Sequence, residues 1–270
     1  MKTAIKLIFI YFGIQILSAF LMLIPFAIYV LATGGDLSTV QSMSLSPSLF
    51  LSIALMGLWL WKCGYISTEK ATWSIVSPSY MGLTLVIAFS GIWLLAFLMS
   101  YLHLPDLMKE TFDLLQAGWI GILGIAVLGP VLEELLFRGA ITKALLKQYS
   151  PPKAIIISAL LFGVVHLNPI QVVGAGLMGL LLAWMYYKTA SLIPCIIVHI
   201  INNSLSVYLS LKYPDVQHMS DLIENESVCL ALTILSLVLF VGAYLLMRRT
   251  TIAYPWKKDK TNIETIIIEE

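Results

Sequence analysis

The sequence predicts an all-α membrane bundle of about eight spanning helices, and three observations carry that prediction. Apolar residues make up 59% of the 270-residue chain and charged residues only 11%, against roughly a quarter charged in an ordinary soluble domain. The apolar residues form long continuous runs, unlike the alternating segments of about ten residues that build a membrane barrel. Turn residues punctuate those runs at intervals near one bilayer crossing, which takes roughly 20 helical residues over about 30 Å. A chain of this composition cannot cover itself with polar surface, so its solvent is largely the lipid bilayer. A formal net charge of +1 offers no basic face for nucleic acid, and that partner class is excluded.

Helices are predicted near residues 5–32, 46–62, 79–102, 117–148, 152–167, 169–187, 190–211 and 227–247. The first follows Met1-Lys2-Thr3-Ala4-Ile5-Lys6 and stays apolar from Leu7 to Ala32. That is about twice the roughly 7–15 residues of a cleavable signal's apolar region, so it reads as a retained span. Thr33-Gly34-Gly35-Asp36 ends it, Ser150-Pro151-Pro152 separates the fourth helix from the fifth, and Asn168-Pro169 makes a tight turn before the sixth. Gly174-Ala175-Gly176 and Gly179 read as close-packing positions on the sixth helix. No repeat or linker divides the chain. It is taken as N-terminal helices over 1–115, a core over 116–208, and a last helix with a polar tail over 209–270.

Charge placement sets the expected orientation. With both termini cytoplasmic, Lys2, Lys6, Lys62, Lys70, Arg138, Lys143, Lys147, Lys153, Lys188, Arg248, Arg249, Lys257, Lys258 and Lys260 fall on the inner side, and only Lys109 and Lys212 on the outer. The inverted arrangement would violate the positive-inside bias. Cys63, Cys195 and Cys229 are odd in number, lie in or beside apolar runs and form no CxxC pair, so they read as packed or lipid-facing thiols.

The informative residues are the ionisable ones that lipid should exclude. A charge near the bilayer centre costs at least about 2.5–3.5 kcal/mol on insertion scales, yet Glu133 and Glu134 stand side by side in an apolar run. Glu134 and Arg138 are four apart and share a helix face, so they can pair. Glu133 is turned about 100° away and is left free. Pro130, without an N–H, is expected to kink the helix just before the acids.

The fifth predicted helix contributes His166, and the seventh contributes His199 and Asn203, one turn apart on one face. Counting inward at about 1.5 Å per residue places Glu133 and His166 about 21 Å, and His199 about 13 Å, from their cytoplasmic helix ends. The three groups are therefore expected to converge inside the membrane. Two kinds of peptide hydrolysis suit such a set. Glu133, His166 and His199 could hold Zn²⁺ with an open position for water. Alternatively, Glu133 could act as general base without metal while Asn203 and a histidine stabilise the oxyanion. Asn202 faces another way and reads as an interhelical donor. His103 and His218, at a span end and in a loop, read as bystanders.

Glu133-Glu134-x-x-x-Arg138, Phe162-x-x-x-His166 and His199-x-x-x-Asn203, in order on successive apolar segments, resemble the signature of the CPBP family. These are the Abi or type II CAAX prenyl endopeptidase-like membrane proteins. The resemblance covers about 116–208. It implies an intramembrane endopeptidase cutting a membrane-associated peptide or protein, CAAX-like or bacteriocin-type. Glu133, His166, His199 and Asn203 would stand at its catalytic positions, with Glu134 and Arg138 completing the first motif. It leaves open a zinc or a metal-free mechanism. The other readings of the same residues are a non-enzymatic bacteriocin-immunity or membrane-protein-binding factor, a transporter with proton-relaying acids, and a degenerate scaffold. Short loops point to a bacterial inner membrane.

Overall fold

The computed structural model describes residues 1–216, 222–223, 225–249 and 256; His218 and the polar tail after Arg249, apart from Trp256, lie outside them. The described residues form an all-helical bundle without strands. In chain order the helices are α1 (Lys2–Ala32), α2 (Thr39–Lys62), α3 (Pro78–Ser100), α4 (Lys109–Gln116), α5 (Trp119–Leu146), α6 (Pro151–Val164), α7 (Pro169–Thr189), α8 (Ile193–Lys212) and α9 (Glu226–Arg249). A 3₁₀ turn, Lys70–Trp73, bridges α2 and α3.

Seven of these are long and apolar enough to cross a bilayer, and the protein is an integral membrane protein. With the shorter apolar helix α6 they make up the predicted bundle of about eight. Helix α6 is apolar but has only 14 residues, about 21 Å at helical rise, which falls short of a full hydrocarbon core. Its end is set by Val165, His166 and Leu167, where Leu167 takes a left-handed φ of 56° before Pro169 opens α7. The short α4 was not expected. Its low apolar content hides it from a search for long hydrophobic runs, although its one-sided pattern and the Lys109–Asp113 pair (2.9 Å) fit a surface helix.

Local chemistry explains most helix ends. Ser77 caps α3 by accepting from the Tyr80 N–H, with Pro78 at the first helical position. Asn225 caps α9 through the Ser227 and Val228 N–H groups. Ala190, in the left-handed region, stops α7. Helices α1 and α2, α3 and α9, and α6 and α7 pack as pairs. Helix α5 runs inside them, with Leu136, Phe137, Ile141 and Leu145 fully buried.

The α6–α7 pair is close because of small residues. A Cβ on Gly163 would lie 2.5 Å from the Val172 carbonyl oxygen, and one on Gly179 would lie 3.1 Å from both the Ala159 Cα and the Phe162 ring. Gly176 also faces this seam, whereas Gly174 has no neighbour within 4 Å and is not a packing position. Cys63 is exposed, Cys195 and Cys229 are buried, and all three are free thiols.

Candidate active site

The bend expected at Pro130 takes another form. Helix α5 stays continuous but contains two π-helical stretches, Gly124–Leu128 and Leu135–Thr142, which flank the acidic pair. Such wide turns appear most often at functional sites. In the first, the Gly129 N–H bonds the Gly124 carbonyl, five residues back. The Ile125 carbonyl therefore loses its ordinary donor, Gly129, and its π-type donor would be Pro130, which has no N–H. Asn203 fills that vacancy: its Nδ2 donates to the Ile125 carbonyl at 3.0 Å. One irregular turn thus ties α8 to α5 two turns before Glu133.

Glu134 and Arg138 form the predicted ion pair at 2.7 Å, and both side chains are fully buried. The structure adds a partner that spacing could not reveal. The same oxygen, Glu134 Oε1, accepts from His199 Nδ1 at 2.8 Å. Arg138 also donates to the Gly179 carbonyl at 3.4 Å and lies 4.3 Å over the Phe162 ring. Glu134 Oε2 and Arg138 Nε are left without hydrogen-bond partners. A buried ion pair with orphaned atoms contributes little net stability, but breaking it leaves a naked charge.

Glu133 is different. Its side chain is 20% exposed, and its Oε2 stands 3.7 Å from His199 Nε2 and 3.9 Å from His166 Nε2. His166 Nδ1 donates to the Phe162 carbonyl at 2.8 Å. A carbonyl and a carboxylate only accept, so both Nδ1 atoms carry the proton. Both rings then turn their Nε2 atoms toward Glu133. The Phe162 ring fixes the two imidazoles edge-on, with centroids 5.1 Å and 5.7 Å away and interplanar angles of 85°. The Phe-x-x-x-His spacing therefore supplies the ligand-like ring, the carbonyl that sets its tautomer and the aromatic surface that holds both.

Glu133, Glu134, Arg138, His166 and His199 are brought together, and Asn203 sits one helical turn from His199. Asn202 is not the interhelical donor expected; its Nδ2 bonds the neighbouring Asn203 Oδ1 at 3.1 Å. His103 lies apart, exposed, against its own Tyr101 carbonyl. One polar residue beside the site carries more than turn chemistry. Asn168 is fully buried, donates to Asp106 Oδ1 at 2.8 Å and accepts from the Leu107 N–H at 2.9 Å. It fastens the chain before α4 two residues from His166. A shallow groove of about 360 Å³ lined by Pro25, Phe26, Tyr29 and Met43 lies elsewhere and carries no comparable chemistry.

The donor chemistry suits zinc: two imidazole nitrogens with their other nitrogens tied back, plus a carboxylate. The spacing is looser than ligation needs, and among the described residues no three His, Cys, Asp or Glu stand close enough to hold an ion.

Residues 115–205 match the family described as type II CAAX prenyl endopeptidase Rce1-like. The chain is also 30% identical over 104 residues to the "Putative membrane peptidase YdiL" of Bacillus subtilis (strain 168). The family match falls on the core that the three motifs mark out, and both matches show what the chain is similar to. The alignment covers 38% of the chain and 43% of the Bacillus protein, so the chain spans less than half of that relative's length. No solved structure matches.

Proposed function

We propose that this protein is an intramembrane endopeptidase in which Glu133 activates water for attack on a peptide bond of a membrane-associated substrate. The observation that carries the reading is the meeting of both Nε2 atoms on one Glu133 oxygen, at 3.7 and 3.9 Å. Those gaps are too wide for direct hydrogen bonds and suit one bridging water. Glu133 takes one water proton as the oxygen attacks the carbonyl carbon, and an Nε2 lone pair orients the second O–H. The proton on Glu133 then passes to the departing amine as the C–N bond breaks. Asn203 holds its place through the Ile125 carbonyl and keeps a second N–H, which stabilises the oxyanion.

Glu133, His166 and His199 are also the groups that would hold Zn²⁺, which when bound would supply Lewis-acid polarisation of the water. The proposed substrate class is CAAX-like or bacteriocin-type peptides. The proposed setting is a bacterial inner membrane with both termini in the cytoplasm, following the Lys and Arg distribution. Mapping new peptide termini in membranes of cells carrying the wild type or Glu133→Gln tests the reading. Termini that disappear only in the variant are expected and would name the substrate. Identical termini from equally abundant proteins would overturn it in favour of a binding or immunity role.

A further inference from the structure

Helix α1 lies outside the matched core, yet its inward face changes character at a telling depth. Its buried and half-buried positions include Ala4, Leu7, Tyr11, Gln15 and Ser18, while Phe9, Ile16, Leu17 and Phe20 are exposed. The spacing is that of one helix face. The face is apolar for its first turns and polar from Tyr11 to Ser18. The Met1 ammonium donates to Gln148 Oε1 at 2.9 Å, so the start of α1 lies beside the end of α5 and the two run in opposite directions. At equal rise per residue, Tyr11 to Ser18 comes level with Arg138 to Val131, the turns that contain both glutamates.

Side-chain proximity agrees with that register. The Tyr11 side chain pairs with Gln15 and lies within electrostatic reach of Glu133. Ser18 is fully buried and its Oγ has no partner. Among the described residues no hydrogen bond ties Tyr11 or Gln15 to a neighbouring helix, so they are not interhelical glue. A substrate strand entering a membrane site exposes main-chain N–H and C=O groups that lipid cannot satisfy. Tyr11 and Gln15 offer both donors and acceptors.

We propose that Tyr11 and Gln15 of α1 form a docking wall across from Glu133. It holds the main chain of an extended peptide against the α5, α6 and α8 groups. They are substrate-positioning residues, and the proposal rests on the proteolytic reading above.

The test uses the full-length protein in its membrane and the Glu133-dependent termini as readout. The Tyr11→Phe/Gln15→Leu double variant should form them about tenfold more slowly, the scale of one or two lost hydrogen bonds. Its cleavage positions should also spread to neighbouring bonds, which mere destabilisation would not cause. In a Glu133→Gln background, a benzophenone side chain at position 11 should capture the peptides that bear those termini. The same probe at lipid-facing position 9 should not. Unchanged rates and positions, or equal capture at 9 and 11, would overturn the docking wall while leaving proteolysis standing. Loss of no termini in Glu133→Gln would instead remove the proteolytic reading, and this inference with it.

Discussion

Two neighbouring carboxylates in one helix have opposite environments. Glu134 is fully buried, shares one oxygen between Arg138 and His199, and has no route to a substrate. Glu133, rotated by about 100°, is one-fifth exposed and faces two imidazole nitrogens across gaps of 3.7 and 3.9 Å. The comparison separates holding from reacting. The inner acid fixes the His199 ring and its tautomer, and the outer acid is left a space in which a water and a carbonyl can meet. A single helix can do both because adjacent residues project in different directions.

Substitutions should break this contrast in a definite order. Glu133→Gln removes the base but no structural partner, so turnover should fall by about 10²–10⁴ with the thermal midpoint unchanged in a detergent melt. Arg138→Met should do the reverse. It strands the Glu134 charge, and destabilisation of about 3–5 kcal/mol is expected, read as a lowered melting temperature or loss of folded protein. Asn203→Ala should lower turnover by about 10²–10³ if its amide holds the oxyanion, with KM little changed.

Glu134→Gln should cost about 10–100-fold, the usual scale for a group that orients a reacting histidine. The test of its role is whether the pH–rate profile moves along with the rate. Asn168→Ala should have the smallest effect, about 1–3 kcal/mol from two lost hydrogen bonds at the Asp106–Leu107 segment. Proteolytic nicking before α4 would report it. Incubation with a chelator followed by zinc sharpens the role of Glu133 itself. Lost and restored activity would make it a ligand, and unchanged activity would make it the base alone.

Much of this site was legible before any coordinates. Charges in an apolar run are costly enough to demand a reason, and helical spacing alone paired Glu134 with Arg138 and set Glu133 apart. The contact between His199 and Glu134 was hidden because it crosses 65 residues of sequence. Asn168 looked like a turn residue because its partner, Asp106, is 62 residues away. The length of α6 depended on where a terminal turn unwinds, which hydropathy does not resolve. The wide turns of α5 had only an indirect sign in Pro130. A missing N–H tells where a carbonyl is freed but not which side chain will come to it.

Those wide turns make α5 sensitive to length as well as to composition. Each accommodates more chain than an ordinary turn, so removing one residue between Gly124 and Leu128 would let the helix relax to its regular form. Ile125 would then stand four residues before Pro130, whose missing N–H leaves that carbonyl still dependent on Asn203. Everything before the deletion would also rotate by about 100° relative to the glutamates. Within this stretch the protein should tolerate exchange of one apolar side chain for another far better than the gain or loss of a single codon.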